Sequence, residues 1–233
     1  MNIALILAGG SGTRVCGEKP KQFMEINGKP MLVHTVCRFM GHPQIDYICV
    51  ITAEEYLEYT KELLSKYGCK VDAVLPGGCN RRESSLIGIL YLKSVFSPEN
   101  IVLIHDGARP NVSLNIISEN IKKATETGAA VTAVRSQDTI LLGNCNDMIN
   151  GYVDRDNAYT VQTPQSFRLG VISKAHFTID EKIRDGLIDD SKITDDSMLA
   201  YMTGEKVSIV QGEKQNIKVT TMDDFGIICN IMK

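Results

Sequence analysis

Along the chain, short apolar runs alternate with segments whose apolar residues recur at helical spacing. Asn2–Leu7, Tyr47–Ile51, Val71–Leu75, Ile101–Ile104 and Ala129–Val134 are continuous apolar runs, the pattern of strands buried on both faces. Between the second and third, Tyr56, Leu57, Thr60, Leu63, Leu64 and Tyr67 keep a helical period, with Thr52 and Glu55 read as a capping box and Gly68 as the stop. Leu86, Ile89, Leu90 and Phe96 make a second helical face. Ser113–Thr127 makes a third, with Ile117, Ile121 and Ala124 inward and Gly128 after it. This alternation predicts an α/β fold, a mostly parallel sheet with helices on both faces.

The pattern changes near residue 135. From Gln137 to Tyr159, two strand-like pieces flank the turn-rich run Gly143-Asn144-Cys145-Asn146-Asp147, which predicts an antiparallel arm leaving the main sheet. A lone hairpin is marginal in water, so the arm needs a covering surface from its own domain or a second subunit. Further on, Asn216-Ile217-Lys218-Val219-Thr220 alternates as a strand does and points Lys218 away from Ile217 and Val219.

Composition narrows the class. The chain has 233 residues, 43% hydrophobic and 23% charged, with no internal shift that marks a linker, so one domain over 1–233 is expected. The net charge of −3 gives no global positive field for nucleic acid or an anionic membrane, and any basic site must be local. The apolar run Ile3–Ala8 is far shorter than the roughly 20 residues that span a bilayer and lacks a preceding basic segment, which predicts a cytoplasmic protein. Seven cysteines without Cys-x-x-Cys spacing argue against a disulfide framework or a zinc site, and the four histidines lack metal-ligand spacing.

The strongest chemical signal follows the first strand: Ala8-Gly9-Gly10-Ser11-Gly12-Thr13-Arg14, then Lys19-Pro20-Lys21. Glycines let backbone N–H groups approach phosphate oxygens, and Arg14 and Lys21 add full positive charge, so the loop reads as a polyphosphate cradle. It is not a Walker loop, since Gly12 and Gly17 are followed by Glu18-Lys19-Pro20. Nor is it a dinucleotide fingerprint, since Val15 stands where a small residue is needed and no acid lies about twenty residues on.

A second signal is His105-Asp106-Gly107-Ala108-Arg109-Pro110 after the fourth strand. A carboxylate at the carboxyl edge of a parallel sheet suits Mg²⁺, which takes one or two protein carboxylates and completes its shell with phosphate oxygens and water, and Arg109 can grip a second phosphate. Pro76–Ser84 opens a helix near the same edge and is read as offering free N–H groups. Asp154-Arg155, Gln162-Thr163-Pro164-Gln165 and Thr194-Asp195-Asp196 carry polar residues that packing alone does not require.

Six ordered motifs, "LILAGGSGTR…PKQF", "PGGCNRRESS", "HDGARP", "VDRDNAYTVQTPQSF", "TDDS" and "NIKVTT", span nearly the whole chain. In them the sequence resembles the CDP-polyol-forming cytidylyltransferases, the family of 2-C-methyl-D-erythritol 4-phosphate and ribitol-5-phosphate cytidylyltransferases. The resemblance implies a Rossmann-like nucleotidyltransferase fold and a homodimer joined through the arm at 137–159. It also implies CMP transfer from CTP to a polyol phosphate, with pyrophosphate released. By the same resemblance, Ala8, Gly9, Gly10, Gly12, Arg14 and Lys21 hold the CTP phosphates, Lys218 faces the triphosphate, and Gly78 and Ser84 meet the cytosine. Asp106 takes Mg²⁺. Arg109, Arg155, Thr163 and Thr194 hold the polyol phosphate, Arg155 reaching into the neighbouring subunit's site. Arg14, Lys21 and Lys218 are then the catalytic cations.

Three positions depart from the family pattern. Cys79 replaces a frequent acid, Gly107 replaces the alanine of "HDAARP", and Tyr159 replaces the tryptophan of methylerythritol enzymes. Tyr159 leans towards a ribitol phosphate acceptor and "TDDS" towards methylerythritol phosphate. The first expectation is therefore the isoprenoid-precursor reaction on 2-C-methyl-D-erythritol 4-phosphate, with CDP-ribitol synthesis as the alternative. A regulator that keeps the cradle without the chemistry, and a sugar-1-phosphate uridylyl- or thymidylyltransferase sharing only the first loop, are the rivals from other classes.

Overall fold

The fold is given by a computed structural model describing residues 1–10 and 20–233, so Gly12 and Arg14 lie outside the described residues. Its first half runs β1 (Asn2–Ala8), β2 (Glu25–Ile26), β3 (Lys29–Pro30), α1 (Met31–Met40), β4 (Tyr47–Thr52), α2 (Leu57–Lys66), β5 (Ala73–Pro76), α3 (Arg81–Val95) and β6 (Ile101–Asp106). It continues with α4 (Leu114–Thr127), β7 (Ala129–Arg135), β8 (Leu141–Gly143), β9 (Ile149–Tyr152), β10 (Tyr159–Arg168), α5 (Leu169–Arg184), α6 (Asp196–Met202), β11 (Ser208–Gln211) and α7 (Met222–Ile231).

The main sheet has the order β11-β7-β10-β6-β1-β4-β5. Its strands are parallel except β10, which pairs antiparallel with both β6 and β7. Alternate residues of β1 face opposite cores, as a strand with two buried faces requires. Ala4 and Ile6 pack with Leu32 of α1, Leu63 of α2 and Ile117 of α4. Ile3 and Leu5 pack with Ile89 of α3, Ile172 of α5 and Leu199 of α6. Helix α3 comes unusually close to β1 because Gly88 has no side chain: a Cβ there would lie 2.6 Å from Leu5. That approach carries the first turn of α3, with Arg81, to the carboxyl edge of the sheet.

The five predicted strands form, β5 beginning two residues later than the pattern suggested and β6 running on through Asp106. Helices α2 and α4 also match, with Gly68 and Gly128 in the left-handed region after them. The Thr52–Glu55 capping box does not form. Thr52 continues the β4 ladder opposite Ala8 and its hydroxyl bonds Thr60, so the sheet register takes the residue before the helix can use it. Leu90 is 42% exposed, because α3 turns Ser84, Ser85, Gly88, Ile89 and Leu92 inward instead.

Residues 216–220 do not form a strand. Their backbone bonds to the loop after β6 instead: the Val219 N–H donates to the Ala108 carbonyl, and Val219 packs with Ile228 of α7 in a small separate cluster. The expected arm does form: β8 and β9 make a two-stranded antiparallel sheet apart from the main one. Among the described residues no helix is long and apolar enough to cross a membrane.

Candidate active site

Parallel register brings the ends of four strands to one rim. Ala8 lies opposite Thr52, Thr52 opposite Pro76, and Leu7 opposite Asp106. The antiparallel β10 reaches the same rim, where the Asp106 N–H donates to Thr163 Oγ1 at 3.0 Å. Open α/β sheets bind ligands at this edge.

Asp106 is buried beneath three cations. Its carboxylate accepts from Lys218 Nζ at 3.0 Å, Arg81 Nε at 3.3 Å and Arg109 Nε at 3.4 Å. Burial alone would raise its pKa. The charges of Arg81, Lys218 and Arg109 outweigh that and hold the carboxyl well below the usual carboxylate range. Arg109 is itself buried, and its Nη1 donates to the Asn216 carbonyl at 2.8 Å. Lys218 keeps 37% of its side chain exposed, so it can turn toward an arriving anion.

The segment 216–219 links the predicted cations. Lys21 Nζ donates to the Val219 carbonyl at 3.0 Å. Lys21 is held by its neighbours: Gln22 Nε2 donates to the Ala8 carbonyl at 2.8 Å, and Phe23 is buried against Tyr56 and Tyr59. Asn216 Nδ2 in turn donates to the Thr163 carbonyl at 2.9 Å. Lys21, Asp106, Arg109, Thr163 and Lys218 therefore share one hydrogen-bonded neighbourhood.

On the other flank, a Cβ at Gly9 would lie 3.5 Å from Ser84 Oγ, so the end of β1 and the start of α3 meet there. A Cβ at Gly78 would lie 2.4 Å from Glu83 Cβ, and only glycine admits that approach. Several N–H groups of this segment are partnered within it: Gly78 donates to Ser84 Oγ, Cys79 to Glu83 Oε2, and Glu83 to Asn80 Oδ1. The Asn80 side chain caps α3 through the Glu83 N–H, so the N–H groups of Gly78, Cys79 and Glu83 are spent within the turn. Thr194 is exposed just before α6 and lines a small hollow with Arg81 and Asp195. Arg155 is exposed in the turn after the arm and, among the described residues, makes no bond to the Asp106 cluster.

Two residues of the site carry no separate signal in the sequence. Arg81 sits inside the glycine-rich run before α3 and is the cation that joins Asp106 to Asp196, through Nη1 at 2.7 Å. His105, wholly buried, contacts Thr163 Oγ1 through Nδ1 at 3.1 Å and the Arg109 carbonyl through Nε2 at 3.1 Å; burial pushes its pKa down to about 4. A neutral His105 with its proton on Nε2 donates to Arg109 and accepts from the Thr163 hydroxyl.

Among the described residues, no group of three or more His, Cys, Asp or Glu gathers as a metal cage. Asp106 fits a different kind of site. Its one ionised carboxylate already accepts from Arg81, Arg109 and Lys218, so a divalent ion there would draw most of its oxygens from a polyphosphate, whose charge offsets that of the cations, and from water.

A Rossmann-like, mostly parallel sheet with a glycine-ended first strand and a carboxylate among cations at its carboxyl rim defines a nucleotidyltransferase. The family model for IspD, 2-C-methyl-D-erythritol 4-phosphate cytidylyltransferase, matches residues 2–233, and the chain belongs to that family of CTP-dependent cytidylyltransferases. It is 38% identical over 228 residues to a 2-C-methyl-D-erythritol 4-phosphate cytidylyltransferase of Thermosipho africanus, covering 98% of this chain and 96% of the relative. It is also 38% identical over 228 residues to a ribitol-5-phosphate cytidylyltransferase of Streptococcus agalactiae, covering 97% and 92%. The solved 4-diphosphocytidyl-2C-methyl-D-erythritol synthase of Anaerococcus prevotii superposes with a TM-score of 0.81 at 29% identity, covering 99% of this chain and 95% of that one.

Proposed function

We propose that the chain, acting as one domain over 1–233 in the cytoplasm, transfers CMP from CTP to 2-C-methyl-D-erythritol 4-phosphate and releases pyrophosphate. The observation that carries this reading is the union at one rim of Asp106, Arg109 and Lys218 with Lys21. An oxygen of the acceptor phosphate attacks the α-phosphorus of CTP in line. The bond to the β-phosphate breaks and its electron pair leaves with pyrophosphate. Two anions must meet, so catalysis consists of preset positive charge and alignment, with no nucleophilic side chain.

In this reading the backbone of Ala8, Gly9 and Gly10 lies along the triphosphate, with Gly12 and Arg14 of the same loop. Lys21 and Lys218 stabilise charge as the leaving group departs. Gly78 and Ser84 bound the cytosine, while Arg109, Thr163 and Thr194 serve the acceptor phosphate. Asp106 holds Mg²⁺, which supplies charge neutralisation at the phosphates when bound. A second copy of the chain covers the arm and contributes its Arg155, making the working unit a homodimer.

Tyr159 supports a second reading. Its hydroxyl accepts from Arg135 Nη2 at 2.9 Å, at the base of the arm, and its identity is the one that leans towards ribitol 5-phosphate. Pyrophosphate release, measured with CTP and each acceptor and compared by kcat/KM, decides between them. The higher value with 2-C-methyl-D-erythritol 4-phosphate is expected. The higher value with ribitol 5-phosphate transfers the proposal to CDP-ribitol synthesis. CTP binding without release from either acceptor leaves a nucleotide-binding regulator.

A further inference from the structure

Of the three cations on Asp106, Arg81 alone is held from behind by a second buried carboxylate. Its Nε donates to Asp106 and its Nη1 to Asp196 Oδ2, so one planar guanidinium spans two acids on different elements, the end of β6 and the start of α6. Asp196 is 1% exposed and is fixed in turn: Ser85 Oγ of α3 donates to its Oδ1 at 2.5 Å, and His176 of α5 lies 3.6 Å from the same oxygen. Among the described residues the buried Arg81 Nη2 has no partner, and the fork is held through Nε and Nη1. The other two cations are held differently. Lys218 is half-exposed, and Arg109 leans on a backbone carbonyl.

A rigid fork transmits orientation in a way a point charge does not. Thr194 stands two residues before Asp196 and lines the hollow beside Arg81. The bridge Asp196–Arg81–Asp106 therefore ties the segment ahead of α6 to the rim carboxylate that holds Lys218.

Resting on the reading of the site given above, we propose that Arg81 and Asp196 are positioning residues that set the alignment of the acceptor side with the triphosphate side. They touch neither reacting phosphate. Asp196 acts through Arg81, and Arg81 acts through Asp106. Their loss costs alignment in the transition state and leaves nucleotide affinity in place, because the Lys21, Lys218 and β1-loop contacts to CTP remain.

The test uses the full chain and its Asp196→Asn, Arg81→Lys and doubly substituted variants. Three measurements are made on each: steady-state pyrophosphate release, CTP binding by calorimetry and thermal unfolding. Each single variant is expected to lose about 10- to 100-fold in kcat, the scale of misplaced supporting residues, with the CTP dissociation constant within about threefold of the parent. The double variant is expected to fall no further than the worse single one, since both substitutions cut the same bridge. Arg81→Lys keeps charge and bulk, so it carries the test if Asp196→Asn does not fold. A folded variant within about threefold of parental kcat overturns the proposal, as does a loss that appears in CTP affinity or losses that multiply in the double variant. A parent chain that releases no pyrophosphate with either acceptor instead overturns the reading of the site itself.

Discussion

Around Asp106, three cations crowd one buried carboxylate, Arg81 tied as well to Asp196 and Arg109 to the Asn216 carbonyl. Along the arm, Leu141, Leu142, Met148, Ile149 and Tyr152 stand between 49% and 64% exposed on a sheet of only two strands. The first region has its partners within one chain. The second presents apolar surface that one chain does not cover, as interaction surfaces do. In the proposed reaction the contrast separates two parts: phosphate chemistry that a single subunit would organise, and an acceptor contact, Arg155, next to the exposed arm that a second subunit would cover.

The strongest way to break the first half of that contrast is to remove one of its lysines. Lys21→Ala and Lys218→Ala should each lower kcat by roughly 10² to 10³, the usual cost of losing one preset donor at a developing charge. Asp106 keeps Arg81 and Arg109 in the second variant, so circular dichroism and thermal unfolding should remain near parental. A folded Lys218→Ala enzyme with parental kcat would falsify the transition-state role of that lysine.

Much of this region is legible in the sequence, for a physical reason. Parallel strands put their carboxyl ends on one edge, so Ala8 and Asp106 converge once their runs are recognised as strands. What is not legible depends on partners far away in the chain. The alternation at 216–220 imitates a strand, yet its backbone bonds to the loop after β6. The apparent cap at Thr52 is taken by sheet register. Arg81 gains its meaning from Asp196, over a hundred residues on, and β10 inserts antiparallel between β6 and β7 without any local sign of where it will pair. The arm, by contrast, announces itself locally through its turn residues, while its covering surface does not.

A second measurement sharpens what burial does at the rim. His105 is held neutral, with a pKa near 4 against a free value of 6.5, because burial disfavours its charge. The unfolded chain therefore takes up a proton first as pH falls, and stability is lost between about pH 6.5 and about pH 4. At about 1.4 kcal/mol per pH unit, the loss attributable to His105 approaches about 3 kcal/mol. Asp106 and Asp196 add to it lower still: both are held below the usual range, so their contribution is full above the unfolded carboxylate value, begins to fall below it, and is lost only as pH falls through their depressed folded values. Urea unfolding at stepped pH should show this slope in the parent and a shallower one in His105→Gln. Equal slopes would remove His105 as its source.

The smallest expected effect tests the arm. If two chains exchange arms and Arg155 completes the partner's site, then Arg155→Ala and Lys21→Ala damage different subunits' contributions to one reaction centre. Each variant alone has every site impaired. When the two are mixed in equal amounts and allowed to exchange subunits, half of the dimers are hybrids, and one site in each hybrid has both residues intact. The mixture should then recover about a quarter of parental activity, a consequence of twofold symmetry alone. Recovery requires the apolar face of β8 and β9 to hold the hybrid together, so a third substitution, Leu142→Glu, placed in both chains should abolish it. A mixture no more active than the average of its components would show that Arg155 serves its own subunit or none. An Arg155→Ala enzyme of parental activity would take the residue out of the acceptor site altogether.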